Sequence, residues 1–154
     1  MLFRTHFVFS LAIFLFFVDF FKNKFVFGLF FLFAILFVDL DSRRSRLGRL
    51  FIFRPIQWFV NHRGVFHSFF FIFFISLVLF LFNKDAGTGF FIGAFSHIFL
   101  DCFNVKGVKI FWPLFNFKIK GFIKSGSILE EILFVLFITI DFFLFVKVVL
   151  KILF

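Results

Sequence analysis

At 154 residues, 63% hydrophobic and with a mean hydropathy of +1.15, this chain carries more apolar surface than a soluble domain of its size can bury, so its main solvent is lipid. Phenylalanine supplies 40 residues and tyrosine none, a bias that fills generic apolar positions and leaves single phenylalanines uninformative. The net charge of +9 falls mostly in two loops, as expected of basic loops that lie beside membrane spans and meet anionic headgroups; no nucleic-acid-binding motif accompanies it, so nucleic acid is not an expected partner.

Five apolar segments follow one another along the chain. The first, Thr5 to Phe21, has Arg4 before it but no small-residue cleavage site after it, and reads as a retained span, not a signal peptide. The second runs from Phe25 to Leu40, the third from Val65 to Phe82, the fourth from Gly89 to Phe103 and the fifth from Ile128 to Val146 or beyond. A spanning helix needs about 20 residues, so segments two and four are short and must recruit their polar ends at membrane depth. Tight turns are expected at Lys22-Asn23-Lys24 and from Asn83 to Gly89, and Gly87-Thr88-Gly89 is too short for a phosphate loop.

Two longer loops, Ser42 to Gly64 and Asn104 to Ser127, hold both prolines and both tryptophans, Trp58 and Trp112, and should lie on the membrane surface. The expected fold is therefore all-α: an integral membrane helical bundle of about five transmembrane helices with interfacial loop segments, forming one polytopic domain over residues 1–154. Topology follows from the basic residues. With the N-terminus cytoplasmic, Arg4, Arg43, Arg44, Arg46, Arg49, Arg54, Arg63, Lys106, Lys109, Lys118, Lys120 and Lys124 fall inside, whereas only Lys22, Lys24, Lys84, Lys147 and Lys151 fall outside. The bias predicts a multi-pass plasma-membrane protein with its C-terminus outside.

That topology has a consequence for chemistry. His6 opens span one, Asp39 and Asp41 close span two, His62 and His67 precede span three, and His97 and Asp101 end span four, so all seven reach the same membrane face. Ionisable side chains beside lipid are costly, and their clustering marks a functional site. His97 and Asp101 are four apart and share a helix face. Asp39 and Asp41 are two apart and cannot both point inward from a regular helix, so one must sit where the helix ends. Imidazoles and carboxylates at one level suit a divalent transition metal, zinc by preference, as one ion with aspartates behind the histidines or two ions sharing an aspartate.

Each residue also has a plainer reading. A lone histidine such as His6 can be an interfacial group, and two aspartates can mark a span boundary. Ser127-Ile128-Leu129-Glu130 fits a capping box that explains Glu130 without chemistry. Glu131 is an extra ligand or an interfacial group. Asp19 and Asp141, toward the opposite side, should pair with lysine or face water. Cys102, the single cysteine, is better read as an inert thiol than as a ligand.

At these clusters the sequence resembles the YdjM-type, LexA-regulated membrane-bound metal-dependent hydrolases, over Thr5 to about Pro113. The resemblance rests on Thr5-His6, Asp39-Leu40-Asp41, His62-Arg63-Gly64-Val65-Phe66-His67-Ser68, Gly93, Ser96-His97, Asp101, Gly107 and Trp112-Pro113. It departs from the family pattern at Val38, Ser42 and Asn104, where proline, histidine and threonine are usual. The missing histidine at Ser42 bears directly on a fully liganded two-metal site.

The resemblance implies a metal-dependent hydrolase. His6, His67, His97 and Asp101 with Asp39 or Asp41 would hold the metal, and bound water would be activated toward an ester or phosphoester. His62 would act as general acid or base, and Arg63 would clamp a phosphate or developing oxyanion. A phospholipid-type substrate in the bilayer suits an interfacial site. The alternatives are a transporter or proton relay, which needs a polar path across the membrane, and a haem-binding membrane protein, which needs facing histidines.

Overall fold

The computed structural model describes residues 1–43, 45, 47–59 and 64–153. Helices dominate them: α1 (Phe3–Phe17), α2 (Lys24–Val38), the short α3 (Arg54–Phe59), α4 (Phe69–Phe82), α5 (Lys84–Cys102) and α6 (Ile128–Leu153). The all-α expectation holds, and the five long helices match the five apolar segments. Among the described residues, only two stretches, Phe3–Phe20 and Ile128–Lys151, combine the length and apolarity needed to cross a membrane. Two of the five expected spans meet that measure and three fall short of it, for two reasons. With 15 and 14 residues, α2 and α4 reach only about 21–23 Å at 1.5 Å per residue. The 19 residues of α5 include Lys84, Asp85, three glycines, His97 and Asp101, which dilute its apolarity.

Helix ends explain the shortening. Asn23 and Asn83 each cap the following helix, their side chains accepting from Val26 N at 3.1 Å and Ala86 N at 3.0 Å. The cap at Asn83 lets α5 begin at Lys84, so most of the turn expected up to Gly89 is helical. α2 stops at Val38 because Asp39–Asp41 tighten into a 3-10 turn, and α4 starts at Phe69 because Val65–His67 form another.

The core lies between α2, α4 and α5, with Val38, Ile72, Phe90, Ala94 and Ile98 buried together. α2 and α5 run parallel and very close. A Cβ on Gly89 would lie 2.5 Å from the Phe27 carbonyl oxygen, and one on Gly93 would lie 2.4 Å from that of Phe31. Small residues four apart allow this backbone approach, the usual device where lipid removes the hydrophobic drive between helices. The same approach brings the turn that closes α2 alongside α5, where Asp39 Oδ1 lies 3.6 Å from His97 Nε2.

α6 runs alongside α1 and is tied to it at both ends. At one end the fully buried Glu130 accepts from Leu2 N and from Gly126 N, each at 2.6 Å. At the other, Lys151 Nζ lies 2.8 Å from Asp19, which also takes Lys24 at 2.6 Å, so the lysine partner expected for Asp19 is present. The capping-box reading of Glu130 is replaced: its carboxylate serves the neighbouring helix, and Ser127 Oγ has no hydrogen-bond partner among the described residues. Replacing Glu130 with alanine removes the acceptor of two partly buried N–H groups and should cost about 1–2 kcal/mol, read as a lower Tm in detergent.

Both loops stay against the bundle. α3 lies under the end of α2, where Gln57 Nε2 donates to Leu40 O at 2.9 Å and Gly48 O at 2.6 Å, while Phe51, Ile52 and Trp58 stay exposed as an interfacial segment requires. The second loop pairs Val108 with Ile119 and returns to α4, where Phe69 N donates to Ile110 O at 2.8 Å and Ser68 Oγ donates to the Trp112 carbonyl.

Candidate metal centre

Four elements deliver side chains to one point. α1 brings His6 and α5 brings His97 and Asp101, one turn apart on its buried face. The 3-10 turn closing α2 brings Asp39 and Asp41, and the turn before α4 brings His67. Ser10, one turn beyond His6, meets Ser96, next to His97, at 2.9 Å in a buried hydroxyl pair that holds α1 on α5 beside the site.

The imidazoles and carboxylates face one another at a consistent separation. His6 Nε2 is 3.4 Å from Asp101 Oδ1, and His67 Nε2 is 3.6 Å from Asp101 Oδ2. Asp39 Oδ1 is 3.8 Å from His67 Nε2 and 3.6 Å from His97 Nε2. On its other nitrogen, His67 Nδ1 is 3.6 Å from Asp41 Oδ2. The His6 and His97 rings stack with centroids 4.1 Å apart, and the α-amine of Met1 lies 3.4 Å from Asp101 Oδ1.

These distances exceed the usual ~2.7–3.2 Å of an N–H···O hydrogen bond. They approach the roughly 3.3–3.4 Å between donors that share a tetrahedral ion with bonds of about 2.0–2.1 Å. The donor set of imidazole nitrogens and carboxylate oxygens is what a borderline divalent cation prefers. His6 Nδ1 and His97 Nδ1 are buried with no hydrogen-bond partner among the described residues, so these two rings are held by packing on that side.

Burial and charge distinguish the members. The side chains of His67 and Asp41 are fully buried and that of Asp39 is 25% exposed, so Asp39 is the described member that opens the cluster to the outside. Asp39 and His67 lie in turns outside the helices. Burial opposes a charged His67, yet its interactions with Asp101 and Asp41 outweigh this and hold its pKa up, at about 9. Burial likewise opposes a charged Asp39, but the neighbouring His97, with His67 and His6 behind it, keeps that carboxyl below the ordinary carboxylate range.

Six of the eight residues expected from sequence, His6, Asp39, Asp41, His67, His97 and Asp101, thus converge. His62 and Arg63, the expected general acid or base and the anion clamp, lie outside the described residues. Glu131 does not join the cluster and pairs with Arg4. The Cys102 thiol donates to Ile98 O at 3.1 Å. Asp141 departs from expectation: it is 8% exposed in the apolar middle of α6, and its Oδ1 has no hydrogen-bond partner among the described residues.

Sequence reasoning missed three supports. Gln57 was hidden in a loop that read as basic and interfacial, although it is the chain's one glutamine. Glu130 had a local explanation, although a carboxylate just inside an apolar run is signal enough to look for a partner. The Ser10–Ser96 pair left no pattern to read.

The two aspartates of the α2 turn play different parts. Asp39 shares the Nε2 side of His67 with Asp101, whereas Asp41 holds the Nδ1 side, the position of the carboxylate that orients a ligating histidine. Asp41→Asn is expected to weaken divalent-cation affinity about 10–100-fold without abolishing it, measured by competition with a chromophoric chelator. Loss as complete as that of a ligand would place Asp41 among the ligands instead.

Comparison with known proteins gives the setting. A family model described as YdjM inner membrane protein matches residues 1–152. An uncharacterized protein of Bacillus subtilis (strain 168), YvsG, is 28% identical over 99 residues, covering 61% of this chain and 62% of its own, so the match spans less than two thirds of that relative's length. No solved structure matches the chain.

Proposed function

The chain belongs to the YdjM inner membrane protein family, and on that premise we propose that it is a membrane-bound metal-dependent hydrolase whose cation site is the buried His/Asp cluster. The observation that carries this reading is the spacing of the donors. Five nitrogen–oxygen pairs on four elements stand 3.4–3.8 Å apart, wider than hydrogen bonds and close to the edge of a coordination shell. His6, His67, His97, Asp39 and Asp101 hold the cation, and Asp41 orients His67. When bound, a divalent cation such as zinc supplies the Lewis acidity that makes water a nucleophile near neutral pH.

The residues around it have separable tasks. Asp39, the partly exposed member, lies where water reaches the cluster. His67, protonated in the cation-free chain, must give up that proton when the site fills. Phe51, Ile52 and Trp58 seat the loop at the headgroup level, where the scissile ester or phosphoester of a lipid-associated substrate lies. We place α1, α2, α4, α5 and α6 across the bilayer with the N-terminus cytoplasmic and the C-terminus outside, following the basic-residue bias. The cluster is then at the cytoplasmic surface.

Haem binding is disfavoured, because the His6 and His97 rings stack at 4.1 Å with 12° between their planes and leave no slot for a porphyrin. Elemental analysis of gently purified protein, paired with hydrolysis of phospholipid and simple phosphodiester substrates in mixed micelles, tests the reading. A stoichiometric transition metal and chelator-sensitive, metal-restorable hydrolysis are expected. A chain that stays metal-free after add-back sinks it.

A further inference from the structure

We infer that the cluster holds two divalent cations, with Asp101 as the carboxylate that bridges them. This rests on the reading of the cluster as a cation site. The donors divide into two overlapping sets, His6 with His97 and Asp101, and Asp39 with His67 and His97, each within 4.8 Å. Donors of one ion with bonds of about 2.1 Å lie within about 4.2 Å of each other, and the division into two sets gives a single ion no position that uses all five residues.

Asp101 joins the sets. Its two oxygens address two different imidazoles, Oδ1 facing His6 Nε2 at 3.4 Å and Oδ2 facing His67 Nε2 at 3.6 Å. One position is then bounded by His6, His97 and Asp101 Oδ1, and at the other Asp101 Oδ2 faces the His67 nitrogen that Asp39 also faces, at 3.8 Å. So few protein donors per ion leave open places for water or substrate, as catalytic rather than structural sites do. Asp39, a quarter exposed, puts its position at the outer side, while the position at His6 lies behind it among side chains no more than 5% exposed.

Mn(II) titration of the full-length protein in detergent, read by elemental analysis and by electron paramagnetic resonance, tests this directly. Wild type should take up two ions per chain and show the broadened spectrum of a coupled pair. Asp39→Asn should retain one ion with the six-line spectrum of isolated Mn(II), and Asp101→Asn should lose the coupling and at least one ion. Saturation of wild type at one ion, or two ions with no coupling, overturns the inference. These outcomes do not depend on hydrolysis: an active chain with one ion refutes the bridge alone, and an inactive chain with a coupled pair refutes the hydrolase alone.

Discussion

Replacing His97 with alanine should strip the metal centre of the cation held with His6 and remove hydrolysis together. His97 is the member common to both donor sets, it is 1% exposed, and its ring stacks on His6 while meeting His67 edge-on at 5.8 Å. It thus meets His6, His67 and, at 3.6 Å, Asp39, three of the remaining ligands, so its loss should cost more than the ~10–100-fold in affinity typical of a residue that only orients a ligand. The helices should survive the change, because the Ser10–Ser96 pair and the α2–α5 contact at Gly93 hold the same segment independently. Metal content after dialysis, hydrolysis rate and far-UV circular dichroism should be measured on one preparation. Wild-type metal content in a helical His97→Ala protein would remove His97 from the centre.

Gly93→Leu should have the largest effect on the fold. A Cβ at this position meets the Phe31 carbonyl oxygen at 2.4 Å and its carbon at 3.1 Å, and neither can swing aside as a side-chain tip can. Even alanine forces α5 away from α2, at about 1–3 kcal/mol, and leucine should cost more. Because Asp39 closes α2 and His97 lies one turn beyond Gly93, separating the helices also spreads the donor spacing. Cation affinity should therefore fall with stability although no ligand has changed. Gly28→Ala is the control, since its Cβ would meet only the Phe14 ring at 3.2 Å, which can yield. Equal thermal stability of the Gly93 and Gly28 variants in detergent would show that the close α2–α5 approach is not limiting.

Much of the site was legible because ionisable residues are rare in this composition. The basic-residue bias orients the segments without using the histidines or aspartates, and it places His6, Asp39, Asp41, His67, His97 and Asp101 at one end. The structure brings those six together. Helix periodicity gave the right face for His97 and Asp101, which are one α-helical turn apart. For Asp39 and Asp41 it required a helix end, and both lie past it in a 3-10 turn that advances about 120° per residue rather than 100°. Both aspartates can then reach His67, one at each nitrogen, and only coordinates separate their parts. Segment lengths misled where local capping decides the boundary: Asn83 starts α5 five residues before the apolar run, and the turn at Val65–His67 delays α4 by four. The close α2–α5 contact was invisible because small residues at helical spacing carry no partner's address.

The link between Glu130 and the first turn of α1 also sets an order of assembly. Every described donor is in place in the chain by residue 101, yet the carboxylate that fastens the backbone at Leu2, four residues before His6, comes 29 positions later at the start of the last helix. A nascent chain that has released α1 to α5 from the ribosome holds its donors with His6 on an unfastened helix end. The centre reaches its final spacing only once α6 has docked, which delays tight cation capture until that last helix has been made.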